Sequence, residues 1–190
     1  MQETIDHLLS RRSVPAVNLK LPAPDADAIG TILTAATRVP DHGKLAPWRF
    51  IIFRGDAQKL AGEKLLGLLL SRGESFEPAQ EELERARLAR APLVIGVVSR
   101  ATMHPKIPMW EQELSAGAVC MNMLHAVHGL GFAGQWLSEW YMFDEDAGKL
   151  LGLEEGERFA GFVHVGTPEI TPTERPRPDV EALVTEWQGE

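Results

Sequence analysis

The stretch Met109–Leu137, MWEQELSAGAVCMNMLHAVHGLGFAGQWL, decides how the rest of the chain is read. Ala116 to Met121 is an unbroken nonpolar run. A surface helix would interrupt such a run with polar residues at helical spacing, so this helix is expected to be covered on most sides. About 22 residues at about 1.5 Å each span roughly 33 Å, the width of a small domain. Glu111, Gln112, Glu113, Asn122 and His125 argue against a membrane span. The small residues Ser115–Ala118 leave room for another backbone to come close. Gly129 or Gly131 is expected to end the helix, since glycine takes the left-handed cap conformation readily. Phe132–Leu137 then reads as a strand entered from a tight corner. The glycine inside it, Gly134, marks either a bulge or the close approach of a ligand.

Outward from this stretch, the spacing predicts a short helix over Glu3–Ser10, with Ile5, Leu8 and Leu9 on one side. The proline-containing Val14–Pro24 reads as an extended loop. Asp25 caps a helix to about Arg38, with Ile29, Ile32, Leu33 and Ala36 at i, i+3, i+4, i+7. Strands are expected at Trp48–Arg54, Leu93–Val98 and Ala160–Gly166. Leu93–Val98 is nearly all apolar, as in the middle of a covered sheet. Helices are expected from Asp56 to about Leu70, from Pro78 to Arg90 and from Asp144 to Leu151. Four strands and about six helices give an α+β sandwich whose connections are too irregular for a βαβ repeat. The whole chain, 1–190, reads as one domain with an extended C-terminal arm from about residue 168 to 190.

The 190 residues suffice for one real core, and 44% hydrophobic with 24% charged residues is ordinary for a soluble protein. A net charge of −8 speaks against non-specific nucleic-acid binding, so any anionic ligand needs a local cluster of arginine or lysine. One cysteine excludes an intrachain disulfide and fits a reducing cytoplasm. No signal peptide or membrane-spanning run is read. No G-x-G-x-x-G, G-x-S-x-G, C-x-x-C or Walker sequence is present, which removes support for Rossmann, hydrolase, thiol-redox and P-loop readings.

Three short segments are the candidates for chemistry. Arg11-Arg12-Ser13 has the forks and hydroxyl to hold a phosphate, or it only complements the end of the first helix. Pro40–Arg49, with His42, Lys44 and Ala46, is a loop that could lay backbone N–H groups on a ligand, or a connector shaped by its proline and glycine. Gly134-Gln135-Trp136 could face a planar cofactor, or it is a core strand with a bulge. His125 and His128 share a helix face but lack a metal partner motif, so no metal site is expected. Arg175 and Arg177 could reach an anion, or they are solvated tail charges.

In this order, Arg-Arg-Ser at 11–13, Pro-Asp-His…Pro-Trp-Arg-Phe at 40–50, Trp-Glu-Gln-Glu-x-Ser-Ala-Gly at 110–117, Gly-Phe-x-Gly-x-Trp at 131–136 and Gly-Thr-Pro at 166–168 form one pattern. It resembles the FMN-dependent nitroreductase family, and within it the small YdjA-like branch of NAD(P)H nitroreductases. The resemblance runs from about Ile5 to Arg177. It implies a three-layer α+β sandwich, with a central, mostly antiparallel sheet covered by helices. It also implies an intertwined homodimer with two FMN sites lined by both chains. By the same resemblance Arg11, Arg12 and Ser13 bind the FMN phosphate and ribityl region, and His42, Ala46, Gln135, Trp136 and Leu137 contact the flavin. His125–Leu130 matches a stretch assigned to NAD(P) in that branch. Ala46 stands where many relatives have glutamine, and Leu137 where some have arginine, which makes the pocket less polar and leaves the electron acceptor open. The implied activity is ping-pong hydride transfer from NAD(P)H through flavin N5 to a nitroaromatic, quinone or similar small molecule. No catalytic side chain is named, although His42 or Lys44 could stabilise charge on reduced flavin. Other flavin chemistry on the same fold, such as dehalogenation or flavin fragmentation, and non-catalytic FMN storage are the alternatives.

Overall fold

The computed structural model describes residues 2–189. Its centre is the longest strand, β5 (Arg158–Pro168). One edge of β5 pairs antiparallel with β3 (Leu93–Ser99), which pairs antiparallel with β2 (Trp48–Arg54). The other edge takes β4 (Ala133–Leu137) from Leu137↔Phe162 to Ala133↔Gly166, and then the two-residue β1 (Leu19–Lys20) opposite Thr167 and Pro168. Every pairing among the described residues is antiparallel.

Side-chain alternation along β3 builds two cores. Leu93, Ile95 and Val97, with Val163 and Val165 of β5, face the helices α2 (Ala26–Ala36) and α5 (Met109–Gly129). Ile29, Ile32 and Ala36 of α2 and Val119, Cys120, Met123, Leu124 and Val127 of α5 complete that layer. Val94 and Val98 face the other way, onto α3 (Asp56–Ser71), α6 (Trp140–Phe143) and α7 (Glu145–Leu150). The rings of Phe53, Tyr141, Phe159 and Phe162 gather there. Gly96 makes room for them: a Cβ at this position would meet Phe159 at 2.9 Å. Helix, sheet and helix form the three expected layers, and β3, buried at every position, lies inside them.

Local signals account for most boundaries. Asp25 accepts a 2.8 Å hydrogen bond from the Ala28 N–H and so starts α2, and Asp144 caps α7 through Ala147 N–H in the same way. Gly131, at φ 82°, turns the chain from α5 into β4. The long charged helix expected over Pro78–Arg90 is instead α4 (Pro78–Arg85) followed by a separate 3-10 turn, Arg87–Ala89. The break lets Leu88 point into the core while Arg87 and Arg90 reach Glu139. Two elements were not expected: α6 and β1. The first helix, α1 (Gln2–Ser10), leaves Ile5, Leu8 and Leu9 exposed.

The helix α5 is less enclosed than its nonpolar run suggests. Ala116, Val119 and Cys120 are fully buried. Trp110 and Leu114, however, are 67% and 53% exposed, and Gly117 has nothing within 4 Å of its Cβ direction. One flank of the central helix, including half of the small-residue patch, is open. Beyond β5 the chain runs out as an arm through residues 169–189, almost wholly exposed, with Val180, Leu183, Val184 and Trp187 bare.

Candidate functional site

Loop 11–16 leaves the end of α1 and is fastened to β4. The Val14 N–H donates to the Gly134 carbonyl at 3.3 Å, and the Ala16 N–H donates to Gln135 Oε1 at 2.7 Å. Two of the candidate segments, Arg11–Ser13 and Gln135–Leu137, are thereby brought together. Gln135 uses its amide oxygen as the fastening. Trp136 lies with its indole over Gly161, where a Cβ would meet Nε1 at 1.8 Å, and remains 39% exposed. Gly134 needs no ligand to explain it. A side chain there would press on the His164 carbonyl at 3.0 Å and on Leu124 at 3.2 Å, so the residue is small to let α5, β4 and β5 close up. Nor does β4 bulge at Gly134: the sheet's register shift lies between Val97 and Val98 of β3.

Arg11 and Arg12 differ in what they already hold. Arg12 donates to the carbonyls of Leu9, at 2.7 Å, and Arg11, at 2.9 Å, and is ion-paired with Glu174 of the arm. It therefore caps the end of α1 as well as facing outward. Arg11 has Nε and Nη1 buried and without any partner. Burial, then the neighbouring charges of Arg177 and Arg12, lower its pKa. Glu174 also accepts from Arg177 Nε at 3.3 Å. Two guanidinium groups thus share the Glu174 carboxylate, while Arg11 beside them has none, in a protein whose net charge is −8.

Histidines extend this basic patch. His7 of α1 lies 3.0 Å, Nε2 to Nδ1, from His125 of α5, and its ring is 6.5 Å from that of His128. His128 has its two nitrogens against the carbonyls of Leu124 and Arg12. Burial comes first, then nearby positive groups, in lowering the pKa of His125; burial also leads for His128, partly offset by the two carbonyls. Among the described residues no cluster of histidine, cysteine and carboxylates is arranged to hold a metal. Sequence reading left Arg177 open between an anion contact and a solvated tail charge, and it missed His7 and Glu174, which reach the patch by long-range contacts.

The third segment is elsewhere. His42 and Ala46 sit in a tight loop whose residues Gly43, Lys44 and Ala46 all have positive φ, 74°, 57° and 45°. Asp41 holds that loop by accepting from the N–H groups of Leu45 at 3.0 Å and Ala46 at 2.9 Å. The Ala46 carbonyl in turn accepts from Trp48 N–H at 2.7 Å, so both backbone groups of Ala46 are engaged inside the loop. His42 Nδ1 lies 2.7 Å from Glu111 Oε2, at the first turn of α5, and Ser115 Oγ donates to the Pro40 carbonyl at 2.6 Å. Glu111 and His128 are about 25 Å apart along α5. Within one chain the His42–Ala46 loop and the Arg11–Gln135 patch therefore occupy opposite ends of the central helix.

Near the first end opens a cavity of about 910 Å³ whose wall includes Glu113, Asp144, Glu145, Glu154, Glu155 and Glu157. Lys149 and Arg158 are its basic members. No helix among the described residues is long and apolar enough to cross a membrane.

Comparison with known proteins adds a lineage to this geometry. The profile of the Nitroreductase family matches residues 8–167. A protein of Escherichia coli (strain K12) described as "Putative NAD(P)H nitroreductase YdjA" is 33% identical over 171 residues, 88% of this chain and 90% of its own. Another, from Haemophilus influenzae and described as "Putative NAD(P)H nitroreductase", is 37% identical over 152 residues, 78% of this chain and 80% of its own. Among solved structures, a nitroreductase-like family protein from Bacillus cereus superposes with a TM-score of 0.81 at 20% identity, covering 97% of this chain and 96% of that one. A nitroreductase with bound FMN from Bacteroides fragilis superposes with a TM-score of 0.71 at 19% identity, covering 99% and 100%.

Proposed function

The chain belongs to the nitroreductase family and is a flavin oxidoreductase of that family, and from this premise we propose that it binds FMN at the Arg11–Gln135 patch and reduces nitroaromatic, quinone or similar acceptors with NAD(P)H. The observation that carries the proposal is the orphaned Arg11 guanidinium. A buried donor pair with no partner is costly to a fold, and a phosphate dianion is the group that would satisfy it. Flavin phosphate carries about two negative charges, which fits a patch where two guanidiniums share one carboxylate and a third, Arg11, has none. The same family's solved member with bound FMN supports the choice of cofactor.

Arg11, Arg12 and Ser13 hold the phosphate. The NH2 group of Gln135 and the exposed part of Trp136, with Leu137, form the wall along β4. The chemistry that FMN supplies when bound is acceptance of a hydride from NAD(P)H and its delivery to the acceptor. The protein positions the two substrates in turn and excludes water. Leu137 and Ala46 keep the wall apolar, and no side chain is needed as acid or base.

The His42–Ala46 loop completes the site from a second copy. Within one chain it is too far from Arg11, and the open flank of α5, from Trp110 through Leu114 and Gly117, is the surface on which a second α5 would pack. Two antiparallel α5 helices would lay the His42 end of each against the Arg11 end of the other, giving a homodimer with two sites. The protein as one domain with its exposed arm fits this arrangement, since the arm is long enough to reach a neighbour.

The test is spectroscopic. The purified yellow protein should be bleached by NADH or NADPH under anaerobic conditions and regain its colour when a nitroaromatic or quinone is added. Retention of colour with both nucleotides would reduce the protein to an FMN-binding or storage role.

A further inference from the structure

His128 has a carbonyl oxygen opposite each ring nitrogen: Leu124 at 2.7 Å from Nδ1 and Arg12 at 2.9 Å from Nε2. A neutral imidazole has one N–H and satisfies one of these carbonyls, leaving a lone pair facing the other; the imidazolium donates to both. Its hydrogen-bonding surroundings therefore suit the cation. Its electrostatic surroundings oppose it. His7 approaches from α1, His125 from the same helix and Arg11 from the loop after α1; beside Arg11 stand Arg12 and, from the arm, Arg177, with Glu174 the one carboxylate paired there among the described residues. Burial and the Arg11 and His7 charges hold the ring below its ordinary pKa. A dianion beside Arg11 cancels that opposition and leaves the two carbonyls to decide.

We propose that this cluster makes anion binding proton-coupled: a phosphomonoester dianion arriving at Arg11 is accompanied by uptake of one proton, held on His128 between the carbonyls of Leu124 and Arg12. The step moves one proton from solvent to an imidazole nitrogen and changes no other bond. It rests on the reading of the Arg11 patch as the FMN phosphate site. Because the Arg12 carbonyl belongs to the loop that grips the phosphate, the same proton also ties that loop to α5. The three rings interact, so the proton count belongs to the cluster, and a variant assigns it to His128.

Calorimetric titration of FMN into the flavin-free full chain, in two non-phosphate buffers of different ionisation enthalpy, counts the protons. Near pH 7.5, where FMN enters as the dianion, about one proton per FMN is expected and none for riboflavin. FMN affinity should fall as pH rises, approaching roughly tenfold per pH unit where the cluster titrates, while riboflavin affinity stays flat. His128→Asn should still bind FMN but lose both the proton count and the slope. FMN binding with no proton uptake and a flat pH profile from about pH 6.5 to 8.5 would overturn the proposal. Sulfate, a dianion that does not itself titrate in this range, separates the two readings. Proton uptake with sulfate but no binding of FMN would uphold the coupled anion site and overturn the flavin site. Should the asparagine variant fail to fold, the wild-type counts with FMN, riboflavin and sulfate still decide whether anion binding takes up a proton, and the imidazole proton resonances of His128 followed by NMR with and without FMN assign it.

Discussion

The two ends of α5 are built from opposite charges and differ in how far those charges are satisfied. At the N-terminal end Glu111 is bonded to His42 and Glu113 to Arg158, and the neighbouring Glu157 is held by Arg49. At the C-terminal end, among the described residues, arginines outnumber carboxylates, and Arg11 keeps two nitrogens, Nε and Nη1, without partners. Acidic groups near a helix start and basic ones near its end both suit the helix dipole, so polarity alone says nothing about function. Saturation does. A closed network of ion pairs is a structural device, whereas a buried cation left open in an acidic protein is a place for a ligand. In the proposed dimer the closed end of one copy would lie against the open end of the other, a meeting that the length of α5 prevents within one chain.

The sharpest way to break this comparison is to charge the middle of the helix. Ala118→Glu would put an unpaired carboxylate into the proposed dimer seam, at about 3–5 kcal/mol. Light scattering should show monomers, and the flavin should be lost with the dimer. A wild-type protein that is monomeric and FMN-loaded would sink the two-copy site.

Next in size is the open end itself. Arg11→Ala should weaken FMN by about 2–5 kcal/mol, roughly 30-fold to several thousand-fold, and leave riboflavin almost unchanged. Arg12→Ala should show a smaller difference between the two ligands, because Arg12 also caps the Leu9 and Arg11 carbonyls. Its loss should add about 0.3–1 kcal/mol of destabilisation visible in denaturant melts without ligand. Equal losses of FMN and riboflavin in the Arg11 variant would make that arginine structural.

A third change leaves both ends alone. His164 of β5 is fully buried with neither nitrogen hydrogen-bonded, and burial, then Arg90, pushes its pKa down from 6.5 to about 3. The unfolded chain therefore takes up a proton that the folded chain refuses. Stability falls as pH drops below the unfolded value and continues to fall until the folded value is reached, and near pH 5 the loss is about 2 kcal/mol. Urea melts at neutral and mildly acidic pH should show it, and His164→Leu should flatten the difference while the FMN-to-riboflavin ratio stays put.

The smallest expected effect tests the closed end. The His42–Glu111 pair is largely exposed, so His42→Ala should cost less than about 1 kcal/mol of stability. If the loop serves a neighbouring copy's flavin, FMN affinity should nonetheless drop by roughly 2- to 10-fold, one hydrogen bond's worth. Unchanged affinity would confine His42 to holding the loop on α5.

What could be read beforehand follows from the range of the interactions. The ends of β2 and β3 were legible because continuous apolar runs and flanking turns are local signals, and Asp25 and Asp144 announced their helices through their own caps. The four residues of α6 carry no helical period, and β1 exists only because β5 is long enough to pair beyond β4. The arginine doublet was visible as a doublet. That Arg11 would be the orphan and Arg12 the cap was not, because the difference depends on Leu9, on Glu174 and on how the loop is tied to Gln135. His7 and His125 meet across 118 positions of sequence, a distance over which spacing has no meaning.

The cysteine inside α5 offers a last consequence. Cys120 is fully buried, and burial raises its pKa to about 12. At neutral pH its sulfur is neither ionised nor reachable, so an alkylating reagent can modify it only in molecules that have opened their core. As the only cysteine, it gives each chain a single chemical clock. The rate at which label accumulates reports the free energy of opening the layer between sheet and central helix, and comparing that rate with and without flavin measures how much the ligand tightens a core it never touches.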